Sequence, residues 1–295
     1  TTRQFTHFRH DPADPASLRH DIVWSVLEDR GGRLWVGTGG GLDLMDRATG
    51  KFTHVDLAPG QTGPRAQDDV RVIRQDRAGS LWIGTAGRGL VRLDPATSSV
   101  TRYRHVPGDP ASLGHDDVRA VLEDADGSLW VGTKGGGLNR LDRATGTFKR
   151  YRHDPRDPRS LGHDDVLALA LDGGGTLWVG TDGRGLARFD RAKQAFDRFT
   201  SDPSRPWSLA SDRVYSLFID RSGILWVGTY GSGVSRCDLQ TKPFVHYRKD
   251  LNDPNSLGHN IVWAFSETPG GTLWIGTNDG GLDRLDRATG QWTHY

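Results

Sequence analysis

The pentapeptide Leu-Trp-Val/Ile-Gly-Thr occurs six times in this chain, with its tryptophans at Trp35, Trp82, Trp130, Trp178, Trp226 and Trp274. Their spacings are 47, 48, 48, 48 and 48 residues. A fixed period of this length excludes one irregular domain and predicts a row of equal supersecondary units. Apolar side chains make up only 35% of the 295 residues, while glycine occurs 39 times. That balance suits short strands joined by glycine turns. No segment sustains a 3.6-residue period, so no helix is expected.

The third unit shows what is repeated. Residues 117–123, 128–133, 138–142 and 147–152 are predicted as strands a, b, c and d. Between them lie the turns Asp-Ala-Asp-Gly, Lys-Gly-Gly-Gly and Arg-Ala-Thr-Gly, and a proline-fixed loop follows. Strand a alternates Val118, Ala120 and Leu122 on one face with Val121 on the other. A lone meander cannot bury two apolar faces, whereas copies set side by side can, which predicts an all-β propeller of four-stranded antiparallel blades. A parallel β-helix is disfavoured, because its rungs are shorter than this period and Asp-x-x-Gly turns suit hairpins.

The expected organisation is a single propeller domain over residues 1–295. Its six a-b-c-d units fall at about 20–55, 67–104, 115–152, 163–200, 211–248 and 259–295. Residues 5–8 and 292–295 both match strand d, so residues 1–10 are expected to add an extra outer d strand. Two arrangements stay open: a seven-bladed propeller truncated in this chain, or a six-bladed ring whose terminal strands compete for one place. An unpaired d strand would be an open edge available for self-association.

Charge excludes some partners. With 38 basic and 37 acidic residues the net charge is +1, so no basic face for nucleic acid is expected. Cys237 is the single cysteine, which excludes an intrachain disulfide. No apolar run is long enough for direct membrane insertion as a helix. The chain opens on Thr1 with no signal peptide, and is expected to be a mature or excised piece of a longer protein.

The candidate ligand residues lie where the copies disagree. In an a-b-c-d meander the d–a and b–c loops share one face, and that face carries the variation. The residue after the strand-a valine is Trp24, Arg71, Arg119, Leu167, Tyr215 and Trp263 in turn. Aromatic rings stack on sugars, and arginine offers a planar fork to hydroxyls or carboxylates. The b–c turns add Arg88, Lys134, Asp182, Arg184, Tyr230 and Asn278. The ligand-binding set is therefore Trp24, Arg71, Arg119, Tyr215, Trp263, Arg88, Lys134, Arg184 and Tyr230, forming a funnel mouth for a sugar. The competing reading is that these side chains fill space between blades.

Other repeated residues are better explained as structure. The motif tryptophans recur once per unit, as blade packing requires, so they are not assigned to sugar. His20-Asp21, Gln67-Asp68, His115-Asp116, His163-Asp164, Ser211-Asp212 and His259-Asn260 precede strand a as turn formers rather than metal ligands. Gly-x-Ser-x-Gly, His-Glu-x-x-His and paired Cys-His signatures are lacking, so no catalytic residue, metal or cofactor is assigned. Asp182 and Asp279 are non-repeated acids on the ligand face and carry the enzymatic alternative.

Strand a with its Glu-Asp end, Asp-x-x-Gly, Leu-Trp-Val-Gly-Thr, Gly-Gly-Leu-x-x-Leu-Asp, Phe-x-x-Tyr and Asp-Pro-x-Ser-Leu together resemble the two-component regulator propeller repeat. The resemblance covers essentially the whole chain. It implies the periplasmic or extracellular sensor propeller of a membrane-bound signalling protein, often a hybrid histidine kinase. Such propellers usually have seven blades and a following immunoglobulin-like domain, and many relatives respond to polysaccharide breakdown products. The chain is thus expected to be the non-catalytic input domain of a two-component receptor recognising an oligosaccharide, its partner being the remainder of that receptor. The alternatives are a structural or self-associating scaffold without ligand, and a propeller enzyme such as a lyase or glycosidase.

Overall fold

The computed structural model describes residues 6–59, 69–239 and 244–295. Blade 1 holds β1 (Val23–Glu28), β2 (Leu34–Thr38), β3 (Gly41–Met45) and β4 (Phe52–Val55). Blade 2 holds β5 (Val70–Gln75), β6 (Leu81–Thr85), β7 (Leu90–Leu93) and β8 (Val100–Tyr103). Blade 3 holds β9 (Val118–Glu123), β10 (Leu129–Thr133), β11 (Gly137–Leu141) and β12 (Phe148–Tyr151). Blade 4 holds β13 (Val166–Leu171), β14 (Leu177–Thr181), β15 (Leu186–Asp190) and β16 (Ala195–Phe199). Blade 5 holds β17 (Val214–Ile219), β18 (Ile224–Thr229), β19 (Val234–Asp238) and β20 (Phe244–Tyr247). Blade 6 holds β21 (Val262–Glu267), β22 (Leu273–Thr277), β23 (Leu282–Asp286) and β24 (Gln291–His294). Strands pair in chain order within each of the six sheets, and no described residue is helical. This is the all-β propeller architecture, with six blades. Among the described residues no helix is long and apolar enough to cross a membrane.

The blades group into two compact units, residues 1–133 with 139–150, and residues 134–138 with 151–295. The same wedge builds both. In the first, a Cβ on Gly84 would stand 2.6 Å from Val118 Cγ1 of the next blade, and one on Gly37 would stand 2.7 Å from Val70 Cγ1. In the second, Gly180 faces Val214 and Gly228 faces Val262 at 2.6 and 2.8 Å. The motif glycine is therefore the notch that admits the strand-a valine of the following blade. Val70, Val118, Val214 and Val262 are all fully buried.

The motif tryptophan is pinned as well as packed. The indole Nε1 of Trp35, Trp82, Trp130, Trp178 and Trp226 donates to the Asp that opens the a–b turn six residues earlier, at 2.8–3.0 Å. Thr268 holds that place before Trp274. Arginine closes the arrangement in each unit. Arg143 bonds Asp76 of the preceding blade at 2.9 Å and Glu123 at 2.8 Å. Arg287 joins Asp220 and Glu267 in the same way.

The Asp-Pro-x-Ser-Leu loops are rigid straps along the outer strands. Ser112 Oγ accepts from Val106 N at 2.9 Å and donates to Asp109 O at 3.0 Å, while Leu113 is fully buried. The loop carbonyl of Ala111 accepts from Phe148 N of β12 at 2.7 Å, which covers an edge that would otherwise be open. Ala16, Arg159 and Trp207 do the same for Phe52, Phe196 and Phe244.

Residues 6–10 form no strand, which differs from the expected extra d strand. A strand needs a ladder partner, and none pairs with them among the described residues. Phe8 still packs edge-on against Phe52 at 5.7 Å, as Tyr103 does against Phe148 at 5.8 Å. Residues 1–5 of that expected strand, and the Gln67-Asp68 pair, lie outside the described residues.

Candidate functional site

The alternation expected for strand a is interrupted in every blade. In β9, Val118 pairs with Thr133 of β10 and Ala120 with Gly132, so Arg119 is passed over. The same shift skips Trp24, Arg71, Leu167, Tyr215 and Trp263. Each is the extra residue of a β-bulge, a device that re-aims one side chain and disturbs the ladder locally. The variable residue after each strand-a valine is thus released from the ladder. Sequence could locate the disagreement but not the bulge, because the skipped pairing is a relation between two strands.

In the first unit, the Arg71 guanidinium lies 3.8 Å from the centroid of the Trp24 ring, a cation–π contact. Arg71 bonds Asp69 at 2.5 Å and Arg119 bonds Asp117 at 2.8 Å. Burial, and the nearby charge of Arg119, pull the Arg71 pKa down against the upward pull of Asp69. Asp69 and Asp117 were missed as site residues. Their signal was available, since each acid stands two residues before its arginine at the start of strand a. Arg88 is half-buried on the b–c turn, and its carbonyl accepts from Arg102 at 2.9 Å.

In the second unit the aromatic residues converge. Tyr215 stands 5.0 Å from Trp263 with rings at 89°, and 5.3 Å from Tyr230. Trp263 and Tyr230 are 44% and 39% exposed, so ring faces remain open to a ligand. Arg213 lies 4.3 Å from the centroid of the Tyr230 ring, and its Nε donates to Asp182 at 2.8 Å. That bond raises the Arg213 pKa. Burial first, then the Asp182 charge, raises the Tyr215 pKa, so its phenol stays neutral and able to donate. Trp263 Nε1 donates to Asn278 at 3.2 Å, and Asn278 donates to Asp279 at 2.7 Å.

The structure therefore brings together Tyr215, Tyr230 and Trp263, with Asp182 and Asn278 beside them. Arg213 was missed, although it precedes Tyr215 by two residues, as Asp69 precedes Arg71. Lys134 and Arg184 are exposed on their turns. A cleft elsewhere is lined by repeated residues. It runs along Asp220, Trp226, Arg236 and Arg287, and Asp220 and Arg287 are already bonded to each other.

The His/Asp pairs before strand a have structural duties. Asp116 Oδ1 and Asp164 Oδ1 accept the backbone N–H of His105 and His153 at 2.7 Å, each closing its own loop. His115 Nδ1 and His163 Nδ1 accept from the backbone two residues on at 3.0 Å.

Solved structures with the same fold include the extracellular domain of a one component system from B. thetaiotaomicron, at 22% identity and TM-score 0.63, covering 98% of this chain and 39% of that one. PorZ, a surface component of the type-IX secretion system of Porphyromonas gingivalis, matches at 20% identity and TM-score 0.67, over 88% of this chain and 38% of that one. Virginiamycin B lyase from Staphylococcus aureus matches at 14% identity and TM-score 0.66, over 93% of this chain and 84% of that one. This chain thus spans well under half the length of the first two. No curated protein matches it. The two component regulator propeller family matches residues 17–40, 65–87, 112–135, 160–183, 208–231 and 256–279. With one match running through strands a and b of every blade, the chain belongs to the two-component regulator propeller repeat family.

Proposed function

We propose that this propeller is a non-catalytic ligand-binding sensor module, the extracytoplasmic input part of a two-component receptor, and that it takes an oligosaccharide at the face carrying Tyr215, Tyr230 and Trp263. The observation that carries this is the β-bulge at the variable residue after the strand-a valine. A scaffold that only packed blades would gain nothing from varying the side chain among Trp, Arg, Leu and Tyr at six identical bulges. Aromatic faces flanked by Arg213, Asn278 and Asp279 suit the apolar face and hydroxyl rim of a sugar ring. The sensor role is supported by family membership and by the likeness to an extracellular receptor domain. Binding would bias a conformational equilibrium in the parent receptor rather than drive chemistry. The remainder of that receptor is the proposed partner, and the periplasm or cell exterior the proposed location.

Titration of an oligosaccharide panel by calorimetry tests this. Saturable binding without turnover is expected, with Trp263→Ala and Tyr230→Ala each weakening it by about 1–3 kcal/mol, the worth of a stacked ring. Binding that survives both substitutions would remove the site. The lyase fold gives the enzymatic reading one foothold, because Asp182 and Asp279 lie beside the aromatic trio. Product formation lost in Asp182→Asn or Asp279→Asn would favour an enzyme instead.

A further inference from the structure

One position on strand d fastens the strap loop of its own blade. In blades 2, 3 and 4 it is arginine: Arg102 donates to Leu57 O at 3.1 Å, Arg150 to Ser112 O at 2.8 Å and Arg198 to Ser160 O at 2.9 Å. In blades 5 and 6 it is histidine, with His246 Nε2 3.1 Å from Pro206 O and His294 Nε2 3.2 Å from Pro254 O. Arginine keeps its charge at any physiological pH, whereas imidazole does not.

The two histidines face different partners on strand c. His246 Nδ1 meets the Ser235 hydroxyl at 3.1 Å, which can donate to a neutral ring. His294 Nδ1 meets Oδ1 of Asp283 at 2.7 Å, and that carboxylate is wholly buried. Both nitrogens of His294 thus point at acceptors, a carboxylate and a carbonyl. Only the doubly protonated ring can donate to both. Asp283 also accepts Gly258 N of the strap at 2.7 Å. Blade 1 repeats the pair as Asp43 and His54 at 2.7 Å, but there Arg19 lies 3.4 Å from the carboxylate as a permanent cation. Gly258 occupies the corresponding place in blade 6.

We propose that His294 and Asp283 form a pH-sensitive latch: the imidazolium pins the strap at residues 248–261, and its deprotonation loosens that strap and the ligand-facing residues attached to it. The strap reaches the aromatic trio through Asn260. Its side chain accepts Lys249 N at 2.8 Å, and its carbonyl accepts Gly231 N and Gly233 N, beside Tyr230, at 3.0 and 2.8 Å. Trp263 follows three residues later. Two charges bear on His294. Its hydrogen bond to Asp283 raises its pKa above 6.5 and outweighs burial, while the Lys249 charge opposes protonation. A raised folded value means that the latch is fully closed below 6.5 and opens as pH rises through the folded pKa.

The test needs no ligand, so its outcome is independent of the sensor reading. The His294 ring is titrated by NMR in the whole chain, and hydrogen-exchange protection of the Gly258 amide is followed over the same pH range. His294 is expected to titrate above 6.5, with Gly258 protection lost as pH passes that point. His294→Arg, which installs the residue of blades 2–4, is expected to keep Gly258 protected throughout. Asp283→Asn is expected to lower the His294 titration. That variant is tolerable because Asn139 already accepts Gly114 N at 2.8 Å in blade 3. Titration of His294 at or below 6.5 in the unsubstituted chain overturns the latch, and so does a loss of Gly258 protection that is identical in His294→Arg.

Discussion

At the scale of single residues, the most repeated side chains serve two purposes. The Asp of Asp-x-x-Gly closes a turn and also receives the indole of the motif tryptophan. Copying a residue from blade to blade shows that the blades need it, but leaves its partners open. Trp82→Phe preserves most of the buried ring and removes the bond to Asp76. It is expected to cost about 1–3 kcal/mol, the penalty of an unmade buried bond to a charged group. Chemical denaturation measures this, and Trp274→Phe should cost less, because Thr268 offers no carboxylate there. At Asp29, burial raises the carboxyl pKa, but the bonds from Trp35 and Arg33 together bring it below 3.8. Its contribution to stability is therefore complete above that value and disappears as pH falls through the lower folded value.

Between elements, valine into glycine is the repeated joint. The structure supplies the group that the motif glycine approaches. Gly180→Ala would place a methyl 2.6 Å from Val214 Cγ1 in a fully buried seam. A loss of about 1–3 kcal/mol by overpacking is expected, measured as a lower denaturation midpoint. Gly276→Ala is the control, since its nearest neighbour would be Ala264 Cβ at 3.7 Å, an ordinary contact. Strand limits were readable to within a residue or so, with β10 at Leu129–Thr133 against an expected 128–133. Hydrophobic alternation and glycine turns carry that signal locally. The strand-a bulge was not readable, because passing over Arg119 changes nothing in its own neighbourhood of the sequence.

Across the whole molecule, the tryptophans divide by duty. Trp82, Trp130 and Trp226 are at most 1% exposed, whereas Trp24, Trp207 and Trp263 are 44%, 61% and 44% exposed. Acrylamide should therefore quench a minority of the fluorescence. A saturating ligand at the aromatic trio should shrink that fraction, and Trp263→Phe should abolish the shrinkage. Quenching that is unchanged by a bound ligand would place the ligand away from Trp263. Within the expected ligand set, Tyr215, Tyr230 and Trp263 meet, and Arg71 stacks on Trp24. Lys134 shares the turn position of Tyr230, and Arg184 that of Arg88, yet neither joins the trio, since a common place in the repeat fixes a height on the blade and not a neighbour.

The sequence alone determined the period, the four-strand unit, the turn chemistry and the family. The unit and its turns depend on residues within one repeat, and the period on the recurrence of those residues along the chain. Tertiary structure decided the rest: the valine seated against glycine, Arg143 reaching Asp76, Arg213 over the ring of Tyr230, and a histidine bonded to a buried carboxylate 11 residues away. These contacts follow from strand register and blade stacking. Because register pairs residues across a ladder, one skipped partner in strand a turned a variable position into an available one.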